Sequence, residues 1–168
     1  NYLNLNRTKV SFTKDQKIIG VDSDKDPDGA FVSIGIRANK VLSGIADEQG
    51  QKKCLRDWLY DLGWESNKIL DLMNDSDDFY FDVMAQIKMD SWTKGRVALL
   101  GDAGYCASPF SGMGINLAIV GAYILAGELK SAEGDYSMAF KRYNELMRPF
   151  VDANQDLASW MGECFLPE

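Results

Sequence analysis

The segment Gly101-Asp102-Ala103-Gly104-Tyr105-Cys106-Ala107-Ser108-Pro109-Phe110-Ser111-Gly112-Met113-Gly114-Ile115-Asn116 constrains this chain most, because it joins two apolar runs of different kinds. Ahead of it, Arg96-Val97-Ala98-Leu99-Leu100 is almost wholly apolar and predicts a strand covered on both faces, as in a parallel α/β sheet. Behind it, Gly114 to Lys130 predicts a helix. That helix is apolar nearly all round and small at Ala118, Gly121, Ala122, Ala126 and Gly127, so it is expected to pack as core against the sheet. Glycines 101, 104, 112 and 114 let the backbone bend sharply and come close to a ligand. Gly112 and Gly114 precede the helix, so its unpaired N–H groups and the positive end of its dipole face the space above the loop. Asp102 ends the buried strand, where a ligand carboxylate sits in an open α/β sheet and accepts from a hydroxyl. The spacing fits a tight structural turn capped by Asp102 equally well. Gly112 to Leu117 lacks the third glycine of a dinucleotide fingerprint, and without Gly-Lys-Ser/Thr there is no P-loop.

The rest of the chain predicts a mixed α+β organisation within the α/β class. Val10, Phe12, Ile18, Ile19, Val21, Phe31, Val32, Ile34 and Ile36 fall in short β-rich runs around the turn cluster Asp22 to Gly29, which reads as an antiparallel meander. Cys54, Leu55, Trp58, Leu59 and Leu62 recur at helical spacing from Asp47, with Gly63 as a stop, and a short helix follows over Glu65 to Met73. From Phe79 to Asp90 apolar and polar residues alternate, which predicts one long strand with a core face and a polar or cavity-facing side. The period changes after Met89, placing a domain boundary near Ser91: residues 1–90 carry strands and two helices, residues 91–168 the closing strand and helices of a second domain. Tyr136 to Trp160 predicts a last helix kinked at Pro149.

The chain contains no histidine, so it supplies no Ser-His-Asp or Cys-His nucleophile, no histidine-ligated zinc and no histidine base. Eighteen basic against 25 acidic residues give a net charge of −7 with no dense basic stretch, which argues against nucleic acid as a partner. Ile115 to Leu129 is too short and too interrupted for a membrane span. Cys54, Cys106 and Cys164 form no disulfide framework, which points to a reducing, cytoplasmic compartment. Asp75, Asp77 and Asp78 lack the spacing of a calcium loop and read as a solvated turn, so no metal ligand is assigned. Asn1 stands within strand-like sequence, which suggests a fragment of something longer.

The runs Gly95 to Ala103, Pro109 to Ala118 and Ala122 to Leu129 together resemble the second FAD-binding motif of flavin-dependent aromatic hydroxylases. These are the monooxygenases of the p-hydroxybenzoate hydroxylase type, including tetracycline-inactivating enzymes. Leu62-Gly63-Trp64-Glu65 and Asp78 to Asp90 extend the resemblance over most of the chain from about residue 50. It implies the C-terminal part of an FAD-domain fold beside antiparallel substrate-domain strands. It implies FAD as cofactor and NAD(P)H as co-substrate, with an aromatic or polyketide-like small molecule hydroxylated by a flavin C4a-hydroperoxide. Asp102 would accept from a ribityl hydroxyl, Pro109 would lie against the isoalloxazine, and N–H groups near Gly114, Ile115 and Asn116 would meet the pyrimidine edge, with Gly101 and Gly112 shaping the loop. Met84, Gln86, Phe110 and Met113 would line the substrate cavity, and Tyr105 would add a donor near the cofactor. No residue here is assigned a catalytic role. Two residues depart from the family pattern: Tyr105 replaces a common histidine, and Gly121 replaces a common aspartate in the helix. The family's first FAD motif is absent, so the N-terminal portion of the same enzyme would be the partner. A reductase or dehydrogenase of the same superfamily, and a non-catalytic remnant with an empty loop, are the alternatives.

Overall fold

Alternation in the first β-rich runs produces the expected meander. In the computed structural model, which describes residues 3–23, 29–37 and 47–166, strands β1 (Lys9–Lys14), β2 (Lys17–Asp22) and β3 (Phe31–Ile36) pair antiparallel in that order. Val10 opposes Val21, and Ile19 lies between Phe12 and Ile34. Residues 24–28 of the expected turn cluster lie outside the described residues. Helix α1 (Glu48–Leu59) begins where the Asp47 carboxylate accepts from the Gly50 N–H at 2.7 Å, satisfying one of the amides a helix start leaves unpaired. It ends at Leu59, three residues before the expected Leu62, and the chain turns through Asp61 and Gly63, both at positive φ. Asn67 closes that turn by accepting from the Asp61 N–H and donating to its carboxylate, each at 3.0 Å. Helix α2 (Ser66–Asn74) follows, and Ile19, Val21, Leu55, Leu59, Leu62, Ile69 and Leu70 make a single apolar core from sheet and helices.

Phe79 to Asp90 was expected to be a long strand, and it forms no ladder. Phe79 and Phe81 pack on the first core, but Val83, Ile87 and Met89 on the same expected face are exposed. Period-2 alternation records which face would be covered, not whether neighbouring strands lie in the same stretch of chain. Side chains take up much of the backbone polarity instead. The Gln155 amide donates to the Ile87 carbonyl at 2.8 Å, and Arg148 donates to the carbonyls of Met89 and Asp90 at 2.9 and 3.0 Å. The Ile87 N–H donates to the Cys106 carbonyl at 3.0 Å. By contacts the chain divides between Val83 and Met84, the last residues from Phe165 belonging with the first unit.

Within the second unit the apolar run before the glycines also departs from expectation. It is not a parallel strand covered on both faces: β5 (Val97–Ala98) pairs antiparallel with β4 (Thr93–Lys94) around Gly95, leaving Val97 62% exposed. The pattern calls for flanking strands, and among the described residues the one strand this run pairs with is its own hairpin partner. A four-residue turn of helix, α3 (Asp102–Tyr105), follows, then α4 (Gly114–Ser131) and α5 (Tyr136–Phe165). Helix α4 is not buried all round. Leu117 and Gly121 are buried, whereas Ile115 and Tyr123 are 77% and 82% exposed, because no sheet among the described residues covers that side. Helix α5 is longer than expected and continues through an exposed Pro149. No helix of the described residues is long and apolar enough to cross a membrane.

The second core is aromatic. Trp92, Tyr105, Ala107, Leu117, Tyr143, Met147 and Val151 pack together, with the Trp92 ring edge-on to Tyr105 at 4.7 Å and the Arg148 guanidinium 3.9 Å from the Trp92 ring. The Tyr143 hydroxyl donates to the Leu99 carbonyl at 3.0 Å and lies 3.0 Å from the Tyr105 hydroxyl. Burial, reinforced by the Tyr105 hydroxyl, pushes the Tyr143 phenol well above its ordinary range and keeps it a donor. Tyr143→Phe leaves a carbonyl and a buried hydroxyl without their partner, so it lowers stability by about 1–3 kcal/mol in chemical denaturation. A midpoint equal to that of the unmodified protein contradicts this assignment.

Candidate functional site

The loop from β5 to α4 is shaped by backbone conformations that most residues avoid. Gly101 (φ 62°, ψ −140°) starts α3, and a Cβ there would stand 3.3 Å from the Cβ of Ala118, so the turn lies directly on α4. Ser108 (φ 73°, ψ 149°) occupies a region left almost wholly to glycine, at a cost of about 1–3 kcal/mol. It is only 9% exposed, and its Oγ has no hydrogen-bond partner. Ser111 holds this strained corner: its hydroxyl donates to the Ser108 carbonyl at 2.9 Å and accepts from the Met113 N–H at 3.1 Å. Between them Pro109, Phe110 and Ser111 make one 3-10 turn, closed by Gly112 in the left-handed conformation.

This folding delivers two complementary groups to one place. Helix α4 starts at Gly114 with no side-chain cap from Met113, so the first N–H groups, at Gly114, Ile115 and Asn116, have no acceptor within the helix. The Asp102 carboxylate lies beside them: a Cβ on Gly114 would be 4.0 Å from its Oδ1. Asp102, Pro109, Gly112, Ile115 and Asn116 are all exposed. A negatively charged acceptor thus stands next to the donor end of an 18-residue helix, which suits a ligand with a hydroxyl close to a carbonyl or anionic edge. The orphaned Ser108 hydroxyl adds a polar group that the protein itself leaves unused.

Gly101, Asp102, Pro109, Gly112, Gly114, Ile115 and Asn116, expected to meet a cofactor, lie on this loop and the first turn of α4, and Phe110 and Met113, expected to face the substrate, lie on it too. Met113 accepts a 3.4 Å contact from the Asn116 amide at its sulfur, and Phe110 lies beside Gly162 of α5. Met84 is exposed, while the Gln86 amide donates to the carbonyls of Ala107 and Gln155 at 3.3 and 2.7 Å, bracing the back of the loop. Sequence reasoning missed Ser108 altogether; a serine before a proline signals extended backbone, and nothing in its type announces a positive φ. A polar cleft of about 440 Å³ elsewhere in this unit is lined by Asp90, Arg148, Asp152 and Asp156 among others, and by no residue of the loop. Among the described residues no His, Cys, Asp or Glu cluster has the makings of a metal site.

Residues 66–157 match the family described as FAD binding domain. A flavin-dependent monooxygenase of Legionella longbeachae is 54% identical over 99% of this chain, and a second flavin-dependent monooxygenase, from an unknown prokaryotic organism, is 52% identical over all of it. The chain spans 43% of the length of each. Among solved structures, tetracycline destructase Tet(55) superposes with a TM-score of 0.87 at 52% identity, over 98% of this chain and 44% of its own. Tetracycline destructase Tet(51) gives 0.83 at 59% identity, over 100% of this chain and 46% of its own.

The strained corner generates a stability prediction. Ser108→Gly relieves the backbone and removes the orphaned hydroxyl, so it stabilises the ligand-free protein by about 1 kcal/mol, whereas Ser108→Ala keeps the strain and gains less. Thermal melting of the two variants checks the order, and a Gly variant no more stable than the Ala variant refutes the strain.

Proposed function

Because the chain belongs to the FAD binding domain family, we propose that it is the C-terminal part of an FAD-dependent monooxygenase that uses NAD(P)H and O2 to hydroxylate an aromatic or polyketide-like small molecule. The observation that carries this reading is the meeting of the Asp102 carboxylate with the uncapped N-terminus of α4 across Gly114. The donor set fits a flavin. Asp102 accepts from a hydroxyl of the ribityl chain. The amides of Gly114, Ile115 and Asn116 donate to the carbonyl edge of the pyrimidine ring, and Pro109 offers an apolar face to the ring system. When bound, FAD supplies the redox chemistry, passing electrons from NAD(P)H to O2 so that one oxygen atom reaches the substrate and the other leaves as water. The protein's part is electrostatic: a fixed helix dipole stabilises negative charge on the pyrimidine edge without a histidine or a metal from this chain.

We assign the meander with α1 and α2, within residues 1–90, to the substrate-binding side and residues 91–168 to the FAD side. The adenosine and pyrophosphate then fall to the remainder of the enzyme, since this chain spans 43% of its relative's length. Met84, Phe110 and Met113 remain the substrate-facing assignments, whereas the Gln86 amide is engaged by the Ala107 and Gln155 carbonyls behind the loop. The similarity to tetracycline destructases supports polycyclic, oxygen-rich polyketides as the substrate class. We place the enzyme in the cytoplasm, where NAD(P)H is available and the cysteines stay reduced.

In the full-length protein, Asp102→Ala removes a charged acceptor from a hydroxyl, so FAD binds about 10- to 150-fold more weakly, the equivalent of about 1.5–3 kcal/mol. Equal affinities by fluorescence titration contradict the assigned role. The activity is tested by supplying NADPH, O2 and a tetracycline and weighing the product. A gain of one oxygen atom that depends on NADPH is expected, and peroxide release with unaltered substrate points instead to a reductase of the same superfamily.

A further inference from the structure

Tyr105 and Gly121, the two departures from the family pattern, touch each other. The phenol of Tyr105 is almost wholly buried, with its hydroxyl bonded to that of Tyr143 and its ring held edge-on by Trp92. A Cβ at position 121 would overlap the Tyr105 hydroxyl oxygen outright, while standing 3.2 Å from the ring carbon that bears it and 3.1 Å from a Leu100 methyl. Glycine at 121 is therefore the space that the Tyr105 hydroxyl occupies. We propose that Tyr105 is a positioning residue: its hydroxyl, tied to Tyr143 and seated on Gly121, fixes how closely the Asp102 turn lies against α4.

The geometry makes this a lever on the cofactor loop. Asp102 and Tyr105 are the two ends of α3, whose single turn is closed by the N–H groups of Gly104 and Tyr105 donating to the Gly101 carbonyl, both at 3.0 Å. The turn approaches α4 at two points, Gly101 on Ala118 and Tyr105 on Gly121. Positions 114, 118 and 121 follow one another along a single face of a helix. Two close approaches on that face determine where the third residue, Gly114, stands relative to Asp102. A side chain at 121 lifts the turn from α4 and moves the carboxylate away from the amides it stands beside.

This inference rests on the flavin reading of the loop, and the experiment separates the two. In the full-length protein, Gly121→Ala, Tyr105→Phe and the double variant are compared for FAD affinity, for the visible spectrum of bound flavin, and for melting temperature without FAD. Gly121→Ala is expected to weaken FAD at least about tenfold and to shift the flavin band. The double variant recovers to within about threefold of Tyr105→Phe, because only the hydroxyl overlaps the new methyl and the remaining neighbours need give only slightly. A merely structural contact moves the melting temperature and leaves the spectrum of bound flavin unchanged. Binding by Gly121→Ala equal to wild type, a double variant no better than Gly121→Ala, or an unshifted band overturns the proposal. If wild type takes up no FAD, the flavin reading fails and the positioning role with it. The melting temperatures then decide the contact beneath: no recovery in the double variant shows that Tyr105 and Gly121 are not coupled.

Discussion

A buried phenol has to find a hydrogen-bond partner, and meeting that need for Tyr143 and Tyr105 organises the second unit of this chain. The Tyr143 hydroxyl, carried on α5, reaches the Leu99 carbonyl just after β5 and the Tyr105 hydroxyl at the end of α3. The chain leading into the glycine loop and the chain leaving its first turn are thereby fixed to the same residue. Trp92 fills the remaining side of the cluster, itself covered by Arg148. The loop is consequently held from behind by aromatic packing while its front, with Asp102 and the start of α4, stays open. That arrangement lets strained backbone persist at Ser108, where Ser111 supplies the local restraint.

Side-chain amides and guanidinium groups do a related job along residues 86–92. Where a sheet would pair the backbone, Gln155, Arg148 and Asn144 of α5 reach it instead, the last accepting from the Trp92 N–H at 3.1 Å. Such bonds need no neighbouring strand and keep the segment in place while much of its apolar face stays exposed. The outward sides of β5 and α4 are similarly bare, which accords with a chain less than half as long as its relatives.

Features that depend on local chemistry were legible in the residues alone. The alternation at Val10 to Ile36 specified the meander, Asp47 specified the start of α1, and the glycines with Asp102 specified a loop that the structure does assemble at one helix N-terminus. Features that depend on distant chain were not. An almost wholly apolar pentapeptide at 96–100 and an apolar face on α4 state that something should cover them, and among the described residues no sheet does. The long strand expected at 79–90 pairs with no strand among the described residues, and alternation alone does not encode such a partner. Gly121 was visible only as a departure; its cause is a hydroxyl sixteen positions away, which no period or propensity encodes. Ser108 shows the opposite limit, since an ordinary residue type conceals an extraordinary backbone.

The account stands or falls on whether the loop between β5 and α4 serves a flavin. The most direct measurement is the visible absorption spectrum of the full-length protein, purified without added cofactor and recorded again after FAD is supplied and the excess removed. A flavin band near one per protein, present at purification or after loading, is the predicted result. A folded protein that remains colourless in both cases contradicts it and leaves the Asp102 loop as a structural turn.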